Sequence, residues 1–259
     1  MHFILPIIVA SCLATETAHV GAAKEPAASA AASAAAEASA SVSGPGLRSL
    51  EVPGFEAALL FTPAGDEARP LVVAAHGAGG SAEWECDYWR RLTRERAFVL
   101  CLQGTPLGGR YSGYYYRDHR ALNREFTAAE RVARSAEPRI LAGSGVYAGF
   151  SQGATMGAPI LADHAAAFPY AVLIEGFSPW NVPGARKFSQ AGGRRIVIAC
   201  GSNECAKVGK TSERWLNAAS VPVRIEHTPG AGHTPLDGVM ERVALALPWL
   251  LEGDPHWRE

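Results

Sequence analysis

The chain contains one pentapeptide on which its other patterns depend, Gly149-Phe150-Ser151-Gln152-Gly153. The apolar residues 145–148 before it are typical of a buried strand, and residues 154–158 after it are typical of a helix start. A Gly-x-Ser-x-Gly sequence between a strand and a helix forms a sharp, strained turn that exposes the serine hydroxyl. Gly149 and Gly153 fit this turn because side chains there would keep the strand and the helix apart. The alternative is an ordinary glycine- and serine-rich turn, so the interpretation needs support from elsewhere in the chain.

Composition limits the classes of protein to which the chain can belong. It has 259 residues, of which 48% are hydrophobic, and a formal net charge of −1. This length is enough for one folded domain with an ample core that needs no metal to fold. A chain so close to neutral lacks the basic surface of a nucleic-acid-binding protein, so we expect no nucleic-acid partner. The sequence shows no metal-ligand spacing and no phosphate-binding loop, so we predict neither a metal site nor a cofactor.

The N-terminus predicts export. Residues 3–10 form an apolar run that is too short to cross a bilayer. The following residues, Val9-Ala10-Ser11-Cys12, resemble a bacterial lipobox, in which the cysteine is lipidated. We therefore predict a signal peptide at 1–12 and a bacterial lipoprotein, periplasmic or on the cell surface, that touches the membrane only through its lipid. The alternatives are a plain secretory signal and a longer signal that starts upstream.

The segment after Cys12 differs in composition from the rest of the chain. Residues 13–46 are rich in alanine and serine and have no apolar face to bury, which predicts a flexible tether. A tether at this position would hold a folded domain, residues 47–259, away from the membrane surface.

Four further cysteines lie in the predicted domain. An even number of cysteines in an oxidising compartment favours disulfides. Proximity in sequence favours the pairs Cys86–Cys101 and Cys200–Cys205. The alternative is four free thiols in a reducing cytoplasm.

A glycine-rich loop follows a strongly apolar run. Residues 71–75 are typical of a strand buried on both faces, and the loop His76-Gly77-Ala78-Gly79-Gly80 follows directly. In proteins with a serine turn of this kind, such a loop donates one backbone N–H to an oxyanion, and the residue after the serine, here Gln152, donates the other. The alternative is a simple strand-to-helix turn. His76 lies at the very end of the strand, where a structural role is favoured over a catalytic one.

His233 is the candidate base. It lies on a glycine-rich loop, 229–235, that follows the last predicted strand, 223–226, and no other of the eight histidines has this context. A plain loop histidine is the alternative. In proteins with this serine turn, a carboxylic acid that orients the histidine lies between the serine and the histidine in the chain. We therefore look for this acid between Ser151 and His233.

Three carboxylates are candidates for the acid. Glu204 follows the predicted strand 195–199 and stands between two cysteines whose bridge would pin its loop, so it is the first choice. Glu175 also follows a predicted strand, 170–174, and is the main rival. Asp237 comes after the histidine and is a weaker rival, and a solvated loop glutamate is the alternative for Glu204.

Two long segments and two helix starts complete the pattern. Residues 103–124 contain Tyr115 and Tyr116, and residues 177–193 contain Trp180. Loops of this length with aromatic residues predict walls of a substrate site. The second segment is predicted to form a small flap without a helix. The alternative for the first is a packed surface loop.

Two helix starts are also predicted. Ser81 can cap one helix, and a capping box that begins at Thr127 predicts a second helix that ends at about Ala136.

The motifs around Ser151, His76-Gly77 and Gly232-His233 resemble the α/β-hydrolase superfamily, in particular its carboxylesterase/phospholipase and dienelactone-hydrolase-like branch. The resemblance covers roughly residues 47–251. It implies an α/β fold in a single domain, with a mostly parallel central sheet of about eight strands and helices on both faces.

The resemblance also implies roles for individual residues. It implies that Ser151 is the nucleophile, that His233 is the base, and that the backbone N–H groups of Ala78 and Gln152 form the oxyanion hole. The chain departs from the family at 201–204, where an aspartate is usual and Glu204 stands instead.

We therefore expect a serine esterase that cleaves carboxylic esters or related acyl compounds through a Ser-His-acid triad and an acyl-enzyme. The alternative, which the unusual acid motivates, is a catalytically degenerate surface lipoprotein of the same fold that binds without cleaving.

Overall fold

The computed structural model of the protein describes residues 46–236 and 238–257. The predicted signal peptide, the lipidation candidate Cys12 and residues 13–45 of the predicted tether lie outside the described residues, and Gly46 opens the first strand. Among the described helices, none combines the length and the apolar character that a membrane crossing requires.

One eight-stranded sheet forms the centre of the domain, with the strand order β1-β2-β4-β3-β7-β8-β9-β10. The strands β2 and β4 pair antiparallel, as do β1 and β2, and every pair from β4 to β10 is parallel. A two-stranded hairpin of β5 and β6 lies apart from this sheet. The strands are β1 Gly46–Leu50, β2 Ala58–Thr62, β3 Leu71–Ala75, β4 Phe98–Leu102, β5 Thr105–Pro106, β6 Tyr114–Tyr115, β7 Val146–Phe150, β8 Tyr170–Ile174, β9 Arg195–Cys200 and β10 Val223–His227.

The central strands are continuous apolar runs because helices cover both of their faces. Every residue of β3, β4 and β8 is buried, whereas the edge strand β10 is mostly half-buried. The helices α1 and α7 pack on one face, and α2 to α6 contribute to the apolar layer on the other. The helices are α1 Ala82–Leu92, α2 His119–Ala136, α3 Gln152–Gly157, α4 Leu161–His164, α5 Val182–Gln190, α6 Asn203–Ala218 and α7 Gly238–Leu250. The predicted mostly parallel sheet of about eight strands with helices on both faces is confirmed.

The first two strands are separated by a short turn. The strand β1 ends at Leu50 and β2 begins at Ala58. Between them the chain makes a turn in which the Phe55 N–H donates to the Val52 carbonyl at 3.0 Å. Gly54 has φ +84°, a conformation that glycine adopts without strain.

The start of α2 is earlier than predicted. Asp118 is its N-cap, and the carboxylate accepts a hydrogen bond from the Ala121 N–H at 2.8 Å. Thr127, the predicted cap, lies inside the helix, where its hydroxyl donates to the Asn123 carbonyl at 2.9 Å. The capping pattern at Thr127 was misleading because the helix begins earlier, at His119, and Asp118 accepts one of its free N–H groups.

Residues 177–193 do not form the predicted flap. Asn181 caps a helix, α5, by accepting the Gly184 N–H at 2.8 Å, and Pro183 stands in its first turn, where proline is favoured. Ala185 and Phe188 of this helix are buried in the core. The helix α5 is therefore part of the helical layer, whereas Phe177 at the start of the segment is 44% exposed and stacks on the ring of His233, with centroids 5.3 Å apart.

Both predicted disulfides are present. Cys86–Cys101 joins α1 to β4, and Cys200–Cys205 joins the end of β9 to the first turn of α6. Their Cα atoms are 5.7 and 5.5 Å apart, within the usual range for a bridge.

We predict that the buried carboxyl of Glu125 makes stability depend on pH. One of its oxygens accepts the Gln103 and Gly104 N–H groups at 3.0 and 2.8 Å, and burial raises its pKa from 4.5 to about 6. A raised carboxyl pKa stabilises the fold below the unfolded pKa, and that contribution is lost as pH rises through the folded pKa. Glu125→Gln keeps an acceptor for both N–H groups but cannot ionise.

Urea unfolding at about pH 4 and about pH 7.5 tests this prediction. The free energy of unfolding of Glu125→Gln, relative to the unmutated protein, should rise by about 2 kcal/mol between the two pH values. Glu241→Gln, at an exposed position on α7, is the control and should show no comparable change. An equal difference at both pH values for Glu125→Gln would contradict the prediction.

Candidate active site

Ser151 lies directly after β7, on the sharp turn that its sequence predicts. Its backbone has φ +50° and ψ −106°, a conformation that non-glycine residues rarely adopt. The Ser151 N–H donates to the Ile174 carbonyl at 2.8 Å, and the Ser151 carbonyl accepts the Thr155 N–H at 2.9 Å. These bonds hold the strained residue between the neighbouring strand and the new helix.

The two glycines of the pentapeptide are required by close packing. A Cβ atom on Gly149 would lie 2.6 Å from the Ala154 nitrogen, and one on Gly153 would overlap the Ala75 carbonyl oxygen. The predicted need for small residues on both sides of Ser151 therefore has a physical basis in the structure.

Three side chains from three loops form one hydrogen-bonded chain. The Nε2 atom of His233 lies 2.8 Å from the Ser151 Oγ, and its Nδ1 atom lies 3.0 Å from a carboxylate oxygen of Glu175. Glu175 is fully buried, whereas the side chain of His233 is 43% exposed. A carboxylate only accepts, so Nδ1 carries the proton and Nε2 is free to accept the serine proton.

The prediction that Glu204 is the acid is wrong. Ser202 caps α6 immediately after β9, so Glu204 lies in the first turn of that helix, where it is exposed. The residue that meets His233 is Glu175, the rival candidate, at the end of the neighbouring strand β8. Asp237 lies outside the described residues. The signal that favoured Glu175 was available in the sequence, namely its position directly after a fully buried parallel strand.

The loop after β9 has a different role from the predicted one: it binds the acid. The backbone N–H groups of Gly201 and Ser202 and the Ser202 hydroxyl all donate to the Glu175 carboxylate, the last two at 2.9 and 2.6 Å. With His233, both carboxylate oxygens are therefore satisfied inside the protein. Hydrogen bonds to an ionised acceptor are stronger than neutral ones, so this arrangement fixes the acid in place.

The disulfide Cys200–Cys205 closes a small ring around Gly201 and Ser202. The Gly201 carbonyl accepts the Gly232 N–H at 3.2 Å, and a Cβ atom on Gly201 would overlap the Gly232 carbonyl oxygen. Gly201 thus links the acid to the loop that carries the histidine. The two sulfurs near Glu175 are joined to each other, so they offer no thiolate for a metal ion.

The sheet order and the Ser-His-Glu geometry can be compared with known proteins. No protein family model matches the chain, and no curated protein matches it in sequence. A carboxylesterase from Bacillus cereus aligns over 73% of this chain and 91% of its own, with a TM-score of 0.56 and 20% identity. The chain has the α/β-hydrolase fold.

Two further solved structures support this assignment. A carboxylesterase from Mesorhizobium loti aligns over 77% of this chain and 98% of its own, with a TM-score of 0.56 and 19% identity. The fluorophosphonate-binding serine hydrolase F of Staphylococcus aureus aligns over 80% of this chain and 99% of its own, with a TM-score of 0.58 and 13% identity. At these identities the likeness concerns the fold.

The loop 76–80, which we call the oxyanion loop after its predicted role, lies beside Ser151. His76 is fully buried, and its two ring nitrogens lie 2.7 Å from the Gly77 carbonyl oxygen and 2.9 Å from that of Gln103. Burial lowers the pKa of His76. Because the ring is occupied by backbone partners, His76 has the structural role that the sequence favoured, and it shapes the turn that contains Ala78.

Two backbone N–H groups remain available at this position. Gln152 is the first residue of α3, where an N–H has no acceptor within the helix. Among the backbone hydrogen bonds of the described loops and turns, none has the Ala78 N–H as its donor. Gly77 brings the loop close, since a Cβ atom there would lie 3.0 Å from the Ser151 Cβ.

Two of the three predicted wall residues lie in the core instead. Tyr116 is 1% exposed, its ring lies against that of His76 with centroids 4.9 Å apart, and its N–H donates to the side chain of Gln152 at 2.7 Å. Trp180 is 5% exposed and packs against Phe188. Tyr115 is half-buried and pairs with Thr105 in the short hairpin. The aromatic residue of these segments that lies against His233 is Phe177, which the sequence did not single out.

The cleft at the site has a volume of about 360 Å³. It lies between the oxyanion loop and the histidine loop. Its lining consists of residues 76–80 together with Trp84, Phe150, His233, Pro235 and Leu236.

We predict that Glu175 and not Glu204 supports the reactivity of Ser151. Glu175→Gln should slow labelling of Ser151 by a fluorophosphonate by about a hundredfold or more, because the amide no longer selects the productive histidine tautomer. Glu204→Gln, the matched control, should label at the rate of the unmutated protein. The rate is measured by mass spectrometry of the intact protein over time, and equal rates for both variants would contradict the prediction.

We also predict that Gly201→Ala breaks the contact between Glu175 and His233. The new Cβ must displace the Gly232 carbonyl, and with it the loop of His233, so labelling of Ser151 should fall by about a hundredfold. Gly209→Ala on α6, where a Cβ meets only ordinary contacts from 3.4 Å, is the control. Circular dichroism confirms that both variants are folded, and unchanged labelling of a folded Gly201→Ala protein would overturn the prediction.

Proposed function

We propose that the protein is a serine hydrolase that cleaves carboxylic esters or related acyl compounds through an acyl-enzyme. One observation carries this proposal: Ser151, His233 and Glu175 form a continuous hydrogen-bonded chain with distances of 2.8 and 3.0 Å. The serine is half-buried at its turn and reaches the histidine, and the carboxylate behind the histidine is buried, an arrangement that suits nucleophilic catalysis.

The first half of the reaction forms the acyl-enzyme. The Ser151 hydroxyl attacks the acyl carbonyl carbon while the Nε2 atom of His233 takes its proton. Glu175 holds the ring in the tautomer that accepts this proton and stabilises the imidazolium that results. The tetrahedral intermediate then breaks its bond to the leaving group, which receives the same proton from His233.

The second half releases the acid product. A water molecule loses a proton to His233 and attacks the acyl carbon, and Ser151 leaves with the proton returned to its oxygen. In both halves the negative oxygen would accept hydrogen bonds from the Ala78 and Gln152 N–H groups. The loss of one such donor typically costs about 3 kcal/mol of transition-state stabilisation.

Ester substrates are the class favoured by similarity of fold. Two of the solved structures compared above are named as carboxylesterases, and a third is named as a serine hydrolase that binds fluorophosphonate. The proposed chemistry uses only groups of the protein itself, and the absence of a cofactor or metal from it stays a prediction.

The non-catalytic alternative loses its motivation. A binding protein of degenerate fold was considered because the expected acid was unusual at 201–204. Glu175 supplies a buried, fully bonded carboxylate to His233, so no specific observation favours a binding role.

We propose in addition that the protein is exported and anchored by a lipid on Cys12. The lipobox-like sequence motivates this proposal, and the two disulfides support it, because such bridges persist mainly in oxidising compartments.

Hydrolysis of acetate and butyrate esters tests the proposed activity. We expect kcat/KM to fall by at least about a thousandfold in Ser151→Ala, since the nucleophile is lost. Ser202→Ala is a useful intermediate variant, because it removes only one of the bonds to Glu175 and should reduce kcat by a smaller factor. Turnover that is undiminished in Ser151→Ala, or no turnover and no fluorophosphonate labelling of the unmutated protein, would contradict the proposal.

A further inference from the structure

We propose that the cleft beside His233 is a subsite for the leaving group of the ester, and that it takes an uncharged aromatic alcohol of the benzyl type. This inference rests on the proposed function and deepens it, because it names the class of substrate and the part of the substrate that is recognised. The apolar side chains of the two walls, the contacts among their aromatic rings and the position of His233 support it.

The lining of the cleft is chemically uniform. The side chains of Trp84, Phe150, Pro235 and Leu236 provide apolar surface, and the oxyanion loop contributes backbone. Of the lining side chains, all of which lie in the described ranges, none is a carboxylate, a lysine or an arginine. A charged group buried against these apolar side chains would lose water without gaining a carboxylate, lysine or arginine as a partner, so the subsite favours a neutral occupant.

The aromatic wall is fixed before any ligand arrives. Trp84 stacks on Tyr88, with centroids 5.3 Å apart and planes 29° apart, and its other neighbour is Phe150 at 6.0 Å. Phe150 in turn lies 5.3 Å from the ring of His233. Rings at these distances attract one another through offset and tilted contacts, and a further ring in the cleft would extend the same row.

The opposite wall of the cleft, formed by Pro235 and Leu236, is hydrogen-bonded to the same group of aromatic side chains. The hydroxyl of the buried Tyr88 donates to the Pro235 carbonyl at 3.0 Å. Tyr88 therefore holds Trp84 on one side of the cleft and the segment of Pro235 and Leu236 on the other. A slot whose two walls are already positioned binds a flat group with little loss of side-chain freedom.

The position of His233 assigns the cleft to the leaving group. His233 must hand its proton to the leaving oxygen, so that oxygen has to lie beside the Nε2 atom. His233 lines the cleft, and the group attached to the leaving oxygen can enter it directly. The acyl group does not have to lie beside the Nε2 atom of His233.

The volume of the cleft fits one ring with a short linker. A closed cavity of about 150 Å³ is sufficient to bind benzene. The cleft, at about 360 Å³, has room for a benzyl group and remains open at its mouth, where Leu236 is 42% exposed.

A comparison of acetate esters tests the inference. Benzyl and ethyl acetate share the acyl group and have alcohols of similar acidity, so they differ mainly in the group that enters the subsite. We expect kcat/KM for benzyl acetate to exceed that for ethyl acetate by about tenfold or more. An added carboxylate, in 4-carboxybenzyl acetate, should remove this advantage.

Substitution of Trp84 identifies the wall. In Trp84→Leu, the ratio of kcat/KM for benzyl over ethyl acetate should fall to near one. Trp215→Leu, at a half-buried tryptophan on α6 that does not line the cleft, is the control and should keep the ratio. If Trp84→Leu does not fold, Leu236→Ala at the exposed mouth replaces it and should lower the same ratio.

Three results would overturn the inference. The first is that the unmutated enzyme shows no preference for benzyl acetate, and the second is that the preference survives in both cleft variants. The third is a preference for ethyl phenylacetate over ethyl acetate that Trp84→Leu abolishes, because this result would place the aromatic ring on the acyl side. Failure of the proposed function looks different, because then no ester is cleaved in a manner that depends on Ser151 and no fluorophosphonate adduct forms.

Discussion

The site depends on the burial of one carboxylate. Glu175 is fully enclosed at the end of β8, and a charged group in such a place is stable only when its oxygens are hydrogen-bonded. Two backbone N–H groups and a hydroxyl from the loop after β9 meet this need, and His233 from the loop after β10 completes it. The loops after three neighbouring strands thus meet at a single carboxylate, and the orientation of the His233 ring follows from these contacts.

The position of Ser151 is determined by close packing of the backbone and not by charge. The turn at Ser151 is possible only because Gly149 and Gly153 let β7, α3 and β3 approach within backbone contact. The same approach allows the Gly153 N–H to donate to the His76 carbonyl at 3.1 Å, so the turn of Ser151 and the loop 76–80 are joined through the main chain. The distance between these groups is therefore set by backbone geometry and does not depend on flexible side chains.

Local patterns allowed much of this to be predicted. Ser151, its glycines and His233 stand in short motifs whose meaning depends on the adjacent strand and helix, and the disulfides join cysteines that are near in sequence. The fold class was implied by the resemblance to a known superfamily that the same motifs carry.

The remaining features depend on tertiary structure. Glu204 and Glu175 both follow a parallel strand, and the choice between them depends on where α6 begins and on which loop bends towards His233. Tyr116 and Trp180 lie in aromatic segments, and sequence alone does not distinguish an aromatic residue that lines a cleft from one that supports it. The early start of α2 followed from competition between two possible caps, of which Asp118 prevails.

The hydrogen bond from Tyr88 to Pro235 has a consequence for how such a protein can change its specificity. Tyr88 stacks against Trp84 and also holds the segment next to His233. A substitution that widens the cleft by moving Trp84 would disturb the same tyrosine, and with it the loop of His233, whereas a change at Leu236 at the mouth would not. We therefore expect adaptation to bulkier substrates to occur through substitutions at the mouth of the cleft. Substitutions at Trp84 are constrained because they also affect the loop that carries His233.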